Sequence, residues 1–274
     1  MISRVALLSC AGVAALGASE ARAVYVTAPL GALANANLRT YTSGTNYPAG
    51  PTTLTIAGVP FDVTPLPGTP GSFGVAQSSS AQLQFTVPAS VYGASRVYTL
   101  MNSAWGQLNA LNGRIECTGS AGAFASFDIV QGVNLRDHWT AFNQTLTDPT
   151  VVMTDFGGGT HLDRQTFVLP PAFLTQTLTQ VRLVANNPGN PQGAVFLAGA
   201  TVEVAGPTCD TVDFNGDGLF PDTADIDDFL AVFSGGACSN DPHCGDVDFN
   251  NDGLFPDAFD IEVFLTVFSG GACQ

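Results

Sequence analysis

The chain ends in a duplication. From Cys209 it reads Cys-Asp-Thr-Val-Asp-Phe-Asn-Gly-Asp-Gly-Leu-Phe-Pro-Asp, and from Cys244 it reads Cys-Gly-Asp-Val-Asp-Phe-Asn-Asn-Asp-Gly-Leu-Phe-Pro-Asp. Both copies close on Val-Phe-Ser-Gly-Gly-Ala-Cys, at Cys238 and at Cys273. Each copy is too short to bury a core by itself, so the two must bury their apolar faces against each other. After each Asp-rich run the apolar residues fall at helical spacing: Ile226, Phe229, Leu230 and Phe233, then Ile261, Phe264, Leu265 and Phe268. That spacing predicts one short helix per copy with a single apolar stripe, closed by Gly235 and Gly270.

The Asp-rich runs fit a calcium loop, Asp-x-[Asp/Asn]-x-[Asp/Asn]-Gly followed by a closing carboxylate. The first copy offers Asp213, Asn215, Asp217 and Gly218, and the second Asp248, Asn250, Asp252 and Gly253. Calcium takes about 6–8 oxygen ligands, which alternating side chains on a sharp turn can supply. Leu219 and Leu254 stand where a backbone carbonyl is used. The twelfth loop positions are Ala224 and Phe259, which bring no oxygen, but Asp222/Asp225 and Asp257/Asp260 keep the spacing of the last two ligands after one inserted residue. Asp225 and Asp260 are therefore the expected closing carboxylates, with Asp222 and Asp257 as direct or water-mediated ligands. One such run would read equally as a solvated acidic turn; two copies with the same departure argue for two calcium sites. Only three residues separate Cys209 from Asp213, so no helix precedes the first loop, and each copy is half of a helix–loop–helix hand.

Paired loop–helix repeats with Asp-Phe-Asn-x-Asp-Gly-Leu-Phe-Pro-Asp and Gly-Gly-x-Cys signatures resemble the GC-type dockerins of secreted bacterial proteins, over roughly the last quarter of the chain. The resemblance implies attachment to a cohesin-like partner or to the cell surface. Ala224, Phe259 and the cysteine pairs depart from cellulosomal dockerins, which argues against a cellulosome-type partner.

Charge and cysteine usage agree with export. The net charge is −15, every basic residue is an arginine, and none lies beyond Arg182. Such an acidic tail repels itself unless cations neutralise it, and it excludes nucleic acid as a partner. Arg4, the apolar run from Val5 to Leu16 and Ala21-Arg22-Ala23 form a signal peptide over 1–23, with a mature start at Val24. A lipoprotein reading around Cys10 is the weaker alternative. No later run is long enough to span a membrane. An oxidising compartment allows Cys209, Cys238, Cys244 and Cys273 to form two disulfides in any of three pairings. Pairing within each copy, Cys209–Cys238 with Cys244–Cys273, is the favoured expectation; Cys209–Cys273 with Cys238–Cys244 is the alternative. Cys117 reads as a buried free thiol.

Residues 24–206 carry no long helical period. Short β-branched and aromatic runs at 53–56, 81–87, 96–101, 113–118, 123–131, 165–169, 180–185 and 194–204 predict a mostly β domain, a β-sandwich or jelly roll. Phe196, Ala198, Ala200, Val202 and Val204 read as one alternating face, and 65–80 as a Pro/Gly/Ser-rich loop. Three stretches next to strand ends stand out: residues 102–106, 134–139 and 157–164. Trp105, Asn134, Arg136, Asp137 and Trp139 combine aromatic faces with hydrogen bonders, the composition of a sugar-binding surface. The opposing reading makes both tryptophans core or rim residues and Arg136–Asp137 a structural ion pair. The segments around Ile56-Ala57-Gly58-Val59-Pro60-Phe61-Asp62 and Val97-Tyr98-Thr99-Leu100-Met101 loosely resemble jelly-roll, galactose-binding-like modules, which implies a sandwich and hints at glycan binding.

Enzyme signatures are weak. Glu116, Asp128, Asp137, Asp155 and Asp163 offer carboxylates, but no spacing singles out a pair, no Gly-x-Ser-x-Gly elbow occurs, and His138, His161 and His243 are isolated. The expected protein is an exported, non-enzymatic binder or display protein docked by its calcium tail. A dockerin-tethered glycoside hydrolase and a structural envelope protein are the competing readings.

Overall fold

The structure is a computed structural model, which describes residues 23–40, 46–186, 194–204, 209–219, 221–250, 256–271 and 273. The leader expected over 1–23 lies outside these apart from Ala23. The chain divides into two compact units, a body over 23–206 and a tail over 207–274.

The body is built from antiparallel strands: β1 (Val24–Ala28), β2 (Ala36–Asn37), β3 (Thr52–Ile56), β4 (Val59–Val63), β5 (Gly74–Gln77), β6 (Gln84–Tyr92), β7 (Ala94–Ala104), β8 (Leu111–Gly119), β9 (Phe124–Val130), β10 (Arg164–Val168), β11 (Thr177–Ala185) and β12 (Ala194–Val204). One sheet runs β10-β7-β12-β5-β2 with β1 also on β12, a second runs β6-β11-β8-β9, and β3-β4 form a hairpin. Between the two large sheets lies the main core, including Phe85, Val87, Ile115, Val181 and Leu183 from one and Val97, Met101, Val195, Leu197 and Val202 from the other. This face-to-face packing makes the body a β-sandwich. A second core lies on the other face of the larger sheet, where Ile56, Val59, Phe61 and Val63 of the hairpin meet Tyr98, Leu100, Phe196 and Ala198.

β12 explains its own continuous burial. Its two faces serve different cores, so it reads as an unbroken apolar run. The single alternating face expected from Phe196 to Val204 does not form. The register shifts between Leu197 and Gly199, and this bulge sends Phe196 and Ala198 to the second core while Ala200 and Val202 face the main one. Prolines explain other differences. β6 runs on through Pro88, which pairs with Gln180 at a register shift on an edge strand, where its missing N–H costs no ladder bond. The stretch expected as a loop at 65–80 contains β5. Gly74 has no side chain because a Cβ there would stand 2.7 Å from the Thr64 carbonyl oxygen.

Glu116 shows how a charge is kept inside the body. Glu116 is buried on β8 between Arg114 and, across the strand pair, Arg182. Burial works against its charge, yet the two arginines hold its carboxyl below the usual range. Cys117 is a free buried thiol, pushed up by desolvation to about 12 and so inert at neutral pH.

In the tail, α1 (Thr223–Phe233) and α2 (Ala258–Phe268) follow the two Asp-rich runs. Asp222 and Asp257 cap them, each in a capping box with the aspartate three residues on. Phe229 and Phe264 are fully buried and stack with ring centroids 4.2 Å apart. Phe214 and Phe249, which precede the loop asparagines, complete this core with Val247 and Val263. Leu230 and Leu265, assigned to the apolar stripes by spacing, are exposed instead; the helices are buried on a narrower face than the stripe implied. The disulfides are Cys209–Cys273 and Cys238–Cys244, not the within-copy pairing. The copies pack side by side, so the first and last cysteines of the tail meet, and the two central ones close a short connection.

Candidate functional site

The three stretches singled out in the body converge at one place. Ser103 bridges to Asp137, Trp139 to Thr160, and the His161 N–H donates to the His138 carbonyl at 2.8 Å. The joint is a buried ion pair: Arg136 Nε and Nη2 donate to the two Asp163 oxygens at 2.6 and 2.8 Å. Asn102 Nδ2 adds a bond at 2.8 Å and the Thr154 N–H one at 3.1 Å. Arg136 therefore pairs with Asp163, and the Arg136–Asp137 ion pair considered from sequence is corrected. Adjacency along the chain suggested it, whereas successive residues of an extended segment point to opposite sides.

Asp137 has another task. Its carboxylate is fully buried and accepts the backbone N–H of Trp105 at 2.5 Å on one oxygen and that of Trp139 at 2.9 Å on the other. Burial raises its pKa to about 6, against the pull of N–H donors from Trp139, Trp105 and Gly106. Trp105 has φ 57°, a left-handed conformation that costs a bulky residue on the order of 1–3 kcal/mol. Its side chain is 44% exposed. Phe142, 40% exposed, stands edge-on to both tryptophans, with centroids 6.2 Å from Trp105 and 5.8 Å from Trp139. Sequence reading missed Phe142, because nothing in its local run marks it as part of a surface cluster. Asn134 is half-buried and holds a turn: its Oδ1 accepts from the Val130 N–H and its Nδ2 donates to the Asp128 carbonyl.

Beneath the cluster, the Tyr47 hydroxyl lies 3.1 Å from His138 Nδ1 and donates to the His161 carbonyl at 2.9 Å. Desolvation lowers the His138 pKa to about 4, with the nearby His161 adding to the shift. His138 and His161, which looked isolated in sequence, are thus neighbours, in an interior whose desolvation keeps them neutral.

In the tail, the first loop winds its backbone around its own side chains. Asp213 accepts the N–H groups of Asp217 and Gly218, each at 3.0 Å, Asn215 accepts that of Asp217 at 3.0 Å, and Asp217 accepts that of Leu219 at 2.8 Å. Gly218 takes φ 79°, which the sharp turn requires. Asp222 accepts the Ala224 N–H at 2.8 Å. Asp225 is fully buried, its oxygens facing the N–H groups of Asp222 at 3.1 Å and of Asn215 at 3.4 Å. The second copy repeats this: Asp260 is 1% exposed and faces the N–H groups of Asp257 at 3.0 Å and Asn250 at 3.5 Å. Burial holds the Asp260 carboxyl above the usual range, with the charges of Asp248 and Asp257 adding to the shift. Asp252 and Leu254 lie outside the described residues.

The buried Asp225 and Asp260, in a tail without lysine or arginine, fit a hard cation, as do the oxygen-bearing side chains of the loops. Among the described residues the loop carboxylates do not gather as three within 4.8 Å. Among the described residues the group that does is Asp228 with Cys238 and Cys244, whose sulfurs are bonded to each other and are not ligands. No family model and no curated protein sequence matches this chain. Among the described residues no helix is long and apolar enough to cross a membrane.

Proposed function

We propose that this is an exported, non-enzymatic binding or display protein, held outside the cell or on its surface by a calcium-dependent tail and presenting a sandwich to polysaccharide. The tail works as a dockerin-like module. Asp213, Asn215, Asp217, Asp222, Asp225 and the Leu219 carbonyl hold one calcium ion; Asp248, Asn250, Asp252, Asp257, Asp260 and the Leu254 carbonyl hold the other. Its partner is a cohesin-like or other cell-surface protein. The body is of the jelly-roll, galactose-binding-like kind and meets sugar rings through Trp105 and Trp139.

The observation that carries the reading is the pair of buried carboxylates, Asp225 and Asp260, at the same place in both copies and with no lysine or arginine in the tail. A buried carboxylate that faces two backbone N–H groups but no counter-charge is costly, and a divalent ion offsets that cost. What favours binding over hydrolysis is that three of the five carboxylates weighed from sequence, Glu116, Asp137 and Asp163, are buried and engaged by arginines or backbone N–H groups, while Asp128 and Asp155 are exposed. The test removes calcium from the intact protein with EGTA and follows helical circular dichroism and proteolysis of the tail. Loss of helix and rapid cleavage after residue 206, reversed by calcium, are expected. A tail unchanged by the chelator overturns the reading.

A further inference from the structure

The chain holds two tryptophans, Trp105 and Trp139, and one buried carboxylate hydrogen-bonds the backbone of both. They come from different loops, so nothing in the covalent chain keeps them together. Asp137 does: each of its oxygens takes one tryptophan N–H, and Trp105 is kept in a left-handed conformation that a large side chain otherwise avoids. Gly106 is fixed by the same packing, since a Cβ there would stand 2.1 Å from Gln131 Oε1. Strained backbone at an exposed aromatic persists only where surrounding contacts impose it, and such strain gathers at ligand sites.

The same two loops carry no exposed charge. Residues 105–110 and 139–145 include no Asp, Glu, Lys or Arg, and Arg136 and Asp137 behind them are buried and engaged. A carboxylated or sulfated glycan would meet no counter-charge here, in a body whose six arginines are outnumbered by eight carboxylates. A neutral sugar presents an apolar C–H face that rests on an aromatic ring, with hydroxyls for the surrounding amides.

We propose that Asp137 is the positioning residue of this aromatic cluster, setting Trp105 and Trp139 around Phe142, and that the cluster takes an uncharged glycan. This rests on the polysaccharide reading above. The assay uses the intact protein and the variants Asp137→Ala, Asp137→Asn and Trp105→Ala. Emission and acrylamide quenching of the two tryptophans report the cluster without background. Electrophoresis through gels containing galactomannan, hydroxyethylcellulose or polygalacturonate reports binding.

Expected are retardation of the wild-type protein by at least one neutral polymer and none by polygalacturonate. Asp137→Ala is to weaken retardation at least tenfold and to change quenching. Asp137→Asn, which keeps one acceptor oxygen, is to recover part of both, a graded rescue that general destabilisation would not give. Retardation by polygalacturonate alone overturns the neutral class. Emission and quenching identical to wild type in both Asp137 variants overturn the positioning role. If no polymer retards the wild-type protein, the polysaccharide reading fails and the neutral class with it, while the quenching of the Asp137 variants still decides the positioning role.

Discussion

Replacing Arg136 by Met tests whether the convergence of the three body stretches depends on one ion pair. Met keeps most of the side chain's length and removes its charge. Arg136 is 7% exposed and Asp163 fully buried, and the two share bonds at 2.6 and 2.8 Å. Without the guanidinium, Asp163 keeps two neutral donors, Asn102 Nδ2 and the Thr154 N–H. A buried charge stripped of its partner costs about 3–5 kcal/mol. For a unit of this size about 1 kcal/mol moves the midpoint roughly 2–4 °C, so Arg136→Met is to melt roughly 6–20 °C lower. Arg136→Met with Asp163→Asn removes both charges and is to recover more than half of the loss. Scanning calorimetry read beside tryptophan emission isolates the body, because both tryptophans lie there. A single variant within about 1 kcal/mol of wild type, or a double variant no better than the single, refutes the argument.

Other expectations are equally specific. Cys209–Cys273 spans 64 residues and Cys238–Cys244 only 6, so loop-closure entropy assigns about 4 and about 2 kcal/mol to them; chemical denaturation of the paired Ser variants measures the difference, and non-reducing peptide mapping that finds within-copy links overturns the pairing. Phe264→Ala, at the stacked centre of the tail, is to cost about 3–5 kcal/mol by denaturant melts followed at helical circular dichroism. Leu265→Ala, next to it but exposed, is to cost under about 1 kcal/mol, and equal losses would remove the packing argument. Asp137 titrates near 6 in the folded body against about 3.8 ordinarily, so the folded state holds this proton more tightly. Its contribution is therefore fully present below about pH 4 and lost as pH rises through about 6. Asp137→Asn is to abolish that slope in urea melts from pH 4 to 7, and an unchanged slope contradicts the assignment.

Part of the body was legible because strands buried on one face alternate, and β3, β6 and β10 follow that rule. The rule fails where a strand serves two cores, as in β12, whose bulge splits Phe196 and Ala198 from Ala200 and Val202. It also fails at Pro88, where the run expected to end at 87 continues on an edge strand whose ladder needs no N–H from the proline. Of the candidate site, the three stretches were visible as polar-aromatic runs beside strand ends, but which residues pair was not. Asp163 lies 27 residues from Arg136, and only the fold brings them together. In the tail the loop aspartates follow a spacing that local geometry enforces, so the capped helices came with them. Phe214 and Phe249 were hidden inside those same loop signatures, where their neighbours draw the eye to ligands.

The most direct measurement is calorimetric titration of the intact, chelator-stripped protein with calcium chloride, together with Asp225→Asn and Asp260→Asn. Two calcium ions per chain are expected for wild type and one for each variant, with helix content rising as the ions bind. Absence of calcium binding, with α1 and α2 equally ordered in chelator, would contradict the proposal that captured ions hold the tail.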